Sequence, residues 1–345
     1  MKQKDYVFDA SYQPQVRAKR DTRAIMLDVL IALVPAMGVA IWAFGLSALI
    51  VILSSVLSCL FFEWGYRKIM KKTSTIGDLS ACVTGVLLAL TMPAAAHWWM
   101  MIIGAFFSIV VVKQLYGGLG KNFVNPALAG RAFLLASYST VLTTWNVPSM
   151  LQGAVDGVTM STPLYYLYSG AAMPDYYSFG NLLLGMRAGS LGELSAIALL
   201  LGLAYLLIRK VISWRIPVGF IGTVAILSLI FGHEGYGNVE WMVYNVLSGG
   251  LILGACFMAT DFATSPVTPV GQLIYAFGCG AITVLIRYFG GFAEGVTYAI
   301  LIMNLLAFAL DKNTKVRQFG VTKEDVQAAK QAKKAAKKAA KEAQA

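Results

Sequence analysis

Thr162 ends the run Asp156-Gly157-Val158-Thr159-Met160-Ser161-Thr162 and is followed by Pro163; this stretch is the best suited of the chain to covalent chemistry. Asp-Gly is a turn dipeptide: glycine takes positive φ at little cost, and the aspartate side chain can bond the turn's own backbone. Proline holds the residue before it in extended conformations, which presents the Thr162 hydroxyl outward. A reactive hydroxyl presented this way in a turn-rich loop beside apolar segments suits a covalently tethered cofactor. An ordinary Ser/Thr-rich turn is the bland alternative.

Other polar residues lie in apolar surroundings, where each is a functional candidate because its burial is expensive. Asn125-Pro126 with Arg131 reads as a helix start at membrane depth, since proline is tolerated in a first helical turn. The free N–H groups there serve equally as a structural cap, with Arg131 reaching the interface or pairing with an acid, or as contacts for an anionic or carbonyl-rich ligand. Asp261, with Thr260, Thr264, Ser265 and Thr268, offers oxygens to a cation or a flavin, or else closes an Asx-turn at a helix end, the reading favoured slightly. Glu63, Asp78 and Glu193 fall at segment ends and read as solvated interface positions; Asp28 and Glu294 stay ambiguous. Tyr165, Tyr166, Tyr168, Tyr176 and Tyr177 suit an interfacial aromatic belt better than stacking on a ring. Cys59, Cys82, Cys256 and Cys279 are scattered through apolar segments and read as packing residues. His97 and His233 show no ligand pattern, so no metal site and no self-contained catalytic set is expected.

These residues must be positioned by membrane helices. Of 345 residues, 58% are hydrophobic and 13% charged, which excludes an ordinary soluble domain. Ten apolar segments are expected, near 24–44, 47–66, 78–93, 97–116, 124–140, 191–209, 214–231, 239–259, 271–288 and 292–310. Lys and Arg cluster in alternate connections, as at Arg67 to Lys72 and Arg209 to Arg215, while the loop 141–190 holds Arg187 alone. That pattern predicts both termini cytoplasmic and the Thr162 loop extracytoplasmic, with Arg287 the one poor fit. The net charge of +11 does not indicate nucleic acid, because +4 of it lies in the Lys/Ala tail 322–345 and much of the rest beside apolar segments. The tail itself reads as a solvated helix or a loose contact with anionic lipid.

A weak repeat pairs Gly85, Thr91 and Tyr116-Gly117-Gly118 with Gly254, Thr260 and Tyr288-Phe289-Gly290. Five spans per half would invert one copy against the other. The expected organisation is therefore an all-α polytopic membrane protein. It comprises a cytoplasmic segment 1–23, a first repeat 24–140, the loop 141–190, a second repeat 191–310 and a cytoplasmic tail 311–345.

Three longer motifs join the Thr162 segment. They are Thr75-Ile76-Gly77-Asp78-Leu79-Ser80-Ala81-Cys82, Gly120-Lys121-Asn122-Phe123-Val124-Asn125-Pro126-Ala127-Leu128-Ala129-Gly130-Arg131, and Phe257-Met258-Ala259-Thr260-Asp261-Phe262-Ala263-Thr264-Ser265-Pro266. Together, over about residues 20–315, they resemble the RnfD/NqrB family, which supplies membrane subunits to the Rnf electron-transport complex and to the sodium-pumping NADH:quinone reductase. The short N-terminus favours the Rnf side. The resemblance implies FMN bound to Thr162 through a phosphoester, with Asp156, Gly157, Thr159 and Ser161 completing the attachment pattern. Met160 and Ser161 depart from the Gly and Ala often found there. It also implies a second, noncovalent flavin, riboflavin, between membrane helices, with Asn125, Arg131 and Asp261 as candidate contacts. Implied partners are the other Rnf subunits, among them a second flavin-bearing subunit and iron–sulfur subunits, a flavin transferase and membrane lipid, in a bacterial or archaeal cell membrane. The chain would be one electron relay of a ferredoxin:NAD oxidoreductase that moves Na+ or H+, with no complete active site of its own. The NqrB-type subunit of the quinone reductase and a flavin-free secondary transporter are the rival readings.

Overall fold

The computed structural model describes residues 21–151, 159–169, 173–174, 176–232, 236–290 and 294–314. Asp156, Gly157, His233, the first twenty residues and the Lys/Ala tail lie outside them. Among the described residues the chain is helical, apart from one antiparallel bridge between Asn146 and Thr159. Thr22–Phe44 (α1), Leu46–Ile69 (α2) and Ser80–Leu90 (α3) come first. Trp98–Phe106 (α4) continues as a π-helix over Phe107–Gln114 and is followed by Pro126–Ser137 (α5). Three short helices occupy the polar interlude: Ser139–Leu142 (α6), Pro163–Ser169 (α7) and Phe179–Leu184 (α8). Ala196–Ile208 (α9), Arg215–Phe231 (α10) and Asn238–Leu247 (α11) follow, then Leu251–Leu253 (α12), which runs on as a π-helix over Gly254–Met258. Pro269–Phe289 (α13) and Val296–Asn313 (α14) complete the order.

A helix thus occupies each of the ten expected apolar segments, but their lengths differ. α1, α2, α13 and α14 are long and apolar enough to cross a bilayer, and the bent pair Asn238–Leu247 with Leu251–Met258 makes a fifth. α3, α9, α10 and Trp98–Gln114 are shorter apolar helices, below the ~20 residues a straight span needs. The outer faces carry large exposed apolar side chains such as Trp42, Phe61, Ile208, Phe289 and Phe308. That is the reverse of a water-facing surface and suits a multi-pass protein in hydrocarbon, where helices satisfy their own backbone groups.

In the first half α2 packs on both α3 and α4; in the second, α10 packs on both α11 and α13. α1 crosses α9, and α14 lies against α13 and α5, which joins the halves. Small residues allow the closest approaches. A Cβ on Gly85 would meet the Val56 Cα at 2.8 Å, so α3 sits on α2 backbone to backbone.

Two expectations about charge, for Glu63 and Glu193, fail here. Glu63 is not solvated: its side chain is 1% exposed and forms an ion pair of 2.9 Å with Lys113, 2% exposed. Ser80 accepts a hydrogen bond from the Lys113 ammonium at 2.6 Å, while Thr75 and Gln114 donate to Glu63 at 2.6 and 3.0 Å. Glu193 is likewise buried. In each case the end of an apolar stretch in sequence is not the edge of the packed core, because neighbouring helices and loops cover it. Asp78 is half-buried and caps α3, accepting from the Ser80 N–H at 2.8 Å and its hydroxyl at 2.6 Å. Asp28 is also buried, held by Tyr205 of α9 at 2.9 Å and by Arg209, just past its end, at 3.2 Å.

Candidate functional site

Thr162 stands half-buried immediately before α7, with Pro163 as that helix's first residue. Its hydroxyl accepts from the Tyr165 N–H at 3.3 Å, the weak cap a threonine gives in this place. The segment is pinned on both sides. Met160 N–H donates to the Trp145 carbonyl at 3.0 Å, and the Tyr177 hydroxyl donates to the Ser161 carbonyl at 2.6 Å. Met160, Leu164 and Leu167 sink into a small apolar core with Tyr177 and Trp241, leaving the Thr162 side chain at the surface of that core. Thr162 opens onto a cleft of about 810 Å³, whose wall also includes Thr159, Ser161, Tyr166 and Tyr176. Burial first, then the neighbouring Tyr166 hydroxyl, push the Tyr176 phenol up to about 12, so it remains a hydrogen-bond donor at neutral pH. Tyr168 turns away from the cleft, onto Trp241 and Tyr288 at ring-centroid distances of 5.4 Å each.

The opposite wall is charged and is built on a helix break. α11 ends at Leu247, Gly249 takes φ +71°, a left-handed conformation that favours glycine, and α12 leaves at a bend of 62°. The last carbonyls of α11 and the first N–H of α12 have no partners within the helices. Charged side chains supply them. Arg287 donates to the carbonyls of Asn245 at 2.7 Å and Ser248 at 3.2 Å, and Arg187 donates to the carbonyls of Leu247 and Glu193. Glu294 accepts from the Gly250 N–H at the start of α12 and pairs with Arg131 of α5. Cations therefore sit at a helix C-terminus and an anion at an N-terminus, each where the helix dipole favours it. Burial pulls the Arg187 guanidinium down to about 10, still charged at neutral pH. Arg131, Glu193 and Glu294 all line the Thr162 cleft.

The other candidates gather elsewhere. Asn125 caps α5, accepting from Ala127 N–H at 3.0 Å and Leu128 N–H at 3.3 Å, and donates to the Met258 carbonyl at 3.2 Å. Asp261 accepts from the Thr264 hydroxyl at 3.1 Å within its own turn. Asn125, Asp261 and Lys113 line one cavity between the two π-helices, but its volume is about 70 Å³. Cofactor pockets run to roughly 300–1,000 Å³, so the walls as they stand do not fit an isoalloxazine ring. The cleft at Thr162 does fit one, by size, by its tyrosine and tryptophan walls and by the hydroxyl in its rim. Arg131 pairs with an acid, the alternative to a ligand contact beside Asn125, and that pair faces the Thr162 cleft.

Sequence reasoning missed the charge clamp on the helix break, yet two signals pointed to it. Arg187 is the lone cation of its loop, and Arg287 contradicts the alternation of positive charge; both are buried. A basic residue out of pattern is here a structural ligand of backbone carbonyls.

The family model described as NQR2, RnfD, RnfE matches residues 9–320. A relative from Acetobacterium woodii is 46% identical over 316 residues, 91% of this chain and 95% of its own length; it is a subunit of a Na(+)-translocating ferredoxin:NAD(+) oxidoreductase complex. A relative from Clostridium ljungdahlii, 40% identical over 93% of this chain and 98% of its own length, is the counterpart in a proton-translocating complex. A third, from the ion-translocating oxidoreductase complex of Escherichia fergusonii, is 34% identical over 92% of this chain and 99% of its own length.

Proposed function

The chain belongs to the NQR2, RnfD, RnfE family, and from that premise we propose that it is the RnfD-type membrane subunit of an ion-translocating ferredoxin:NAD+ oxidoreductase complex. The named relatives, matched along nearly their whole length, support this reading. In it the ten helical segments are spans, some completed by loops or tilted neighbours. The two halves form an inverted repeat, both termini are cytoplasmic and residues 141–190 lie on the outer side. The matched packing of α2 and α10 supports the repeat.

Thr162 carries FMN through its hydroxyl, placed there by a flavin transferase. The observation that carries this is a motif-matched hydroxyl in the rim of a flavin-sized cleft. Bound there, the flavin would supply stepwise electron transfer with neighbouring subunits. The chain's own residues do the rest. Met160 and Leu164 fix the tether point, Tyr166 and Tyr176 offer ring faces, and Arg131 brings positive charge to the opposite wall.

Fluorescence of the denatured chain under ultraviolet light tests the tether. Protein from cells with the transferase should fluoresce, and Thr162→Ala should not, while Ser161→Ala, which restores the residue often found there, keeps the signal. A dark wild-type chain would favour a flavin-free transporter.

A further inference from the structure

We propose that Glu193 and Glu294 share one proton and form a proton-binding site in the wall of the Thr162 cleft, with Glu193 as the bearer. Both carboxyl groups line the cleft. A Cβ placed on Gly250 would meet Oε1 of Glu294 at 3.0 Å and Oε1 of Glu193 at 3.1 Å, so both converge on one point of the helix break. Two carboxylates so close do not both stay ionised, and one proton is held between them.

Their surroundings decide which one carries it. Glu294 receives the Arg131 guanidinium and the Gly250 N–H, two donors that favour its anion. Glu193 is 4% exposed, and its Oε1 accepts no hydrogen bond among the described residues. A buried carboxylate oxygen left that way is expensive, whereas the neutral acid is not. The charged groups facing the pair are Arg131 from α5, Arg187 from the loop before Glu193 and Arg287 from α13. The hydrogen bonds that Arg187 and Arg287 donate go to the carbonyls of Leu247, Glu193, Asn245 and Ser248 and to Asn245 Oδ1, none to the Glu193 carboxyl. The Ser190 hydroxyl stands beside Glu193, and the Tyr177 and Tyr168 phenols adjoin the two arginines.

The ligand is a proton exchanged with cleft water. Negative charge added in the cleft tightens its hold and charge withdrawn loosens it, so the site links proton occupancy to electron occupancy on the reading of Thr162 given above. The site itself does not need the flavin.

Infrared spectroscopy of the purified full-length chain tests it. The difference spectrum between wild type and Glu193→Gln at neutral pH should contain the carbonyl band of a neutral, buried carboxylic acid. The same band should appear on the Thr162→Ala background, and it should vanish in Glu294→Gln, where Arg131 is released to Glu193 and ionises it. In wild type, which needs no variant to fold, the band should shift with heavy-carbon glutamate and not with heavy-carbon aspartate. No band in the Glu193→Gln difference, its persistence in Glu294→Gln, or no shift with labelled glutamate would each overturn the pair. An unmodified Thr162 would defeat the tether and leave this result standing, so the two failures are distinguishable.

Discussion

The cleft at Thr162 and the small cavity between the π-helices are both built from interruptions in helices, yet they treat polar atoms in opposite ways. Around the inner cavity nearly every polar group answers another: Lys113 with Glu63 and Ser80, Asn125 with its own helix N-terminus, Asp261 with Thr264. Asn122 Oδ1 is the exception there. Around the cleft and its helix break, by contrast, lie five of the nine buried side-chain atoms without partners among the described residues: Arg187 Nε, Ser190 Oγ, Glu193 Oε1, Ser248 Oγ and Arg287 Nε. Native proteins leave few such atoms unanswered without cause. The inner region is satisfied by its own side chains, and the outer one is arranged for water, protons or a bound group. The same division separates size, about 70 Å³ against about 810 Å³.

If that contrast is right, damage to the inner region should cost stability and spare flavin attachment. The largest effect is expected from Lys113→Met, which leaves Glu63 buried without its cation. Removing one member of a buried pair costs about 3–5 kcal/mol, to be read as earlier thermal unfolding in detergent. The double variant Glu63→Met, Lys113→Met should recover most of the loss. A drop in attached flavin at a temperature where the single variant is still folded would break the contrast.

Arg287→Met should cost a comparable amount, since each charge-assisted bond it removes is worth roughly 1.5–3 kcal/mol. Its signature should lie in the cleft: Asn245 also receives the Tyr168 hydroxyl at 2.7 Å, so α7 and the Thr162 rim lose their footing. Flavin fluorescence of the chain should fall with it. Gly249→Ala forces a side chain into a left-handed conformation, about 1–2 kcal/mol, and places a Cβ 3.0 Å from Arg287 Nη2. Its unfolding shift should be smaller and its effect on attachment of the same sign. Asn125→Ala removes a helix cap worth ~1 kcal/mol, and attachment should not change.

Much of this organisation was legible in the sequence, for identifiable reasons. Apolar runs place the helices because backbone groups in hydrocarbon have few other solutions, and Pro126 after Asn125 marks the start of α5 as found. The Thr162 segment was legible because Pro163 and the residues before it form a compact local pattern. What failed depends on contacts distant in sequence. Glu63 looked solvated when taken singly; paired with Lys113, fifty positions on, it is buried. Glu193 was misread for the same reason, and the acid that pairs with Arg131 could not be named, because Glu294 lies 163 residues on. The π-helices leave hydropathy unchanged, so no pattern announced them.

The central claim is that the cleft's rim residue Thr162 is a tether. Intact mass of the purified chain tests it most directly, comparing cells with and without the flavin transferase. The account predicts one added FMN phosphoester in the first case, none in the second, and none in Thr162→Ala from either. An unmodified wild-type mass from transferase-competent cells, or an added flavin that survives Thr162→Ala, would contradict it.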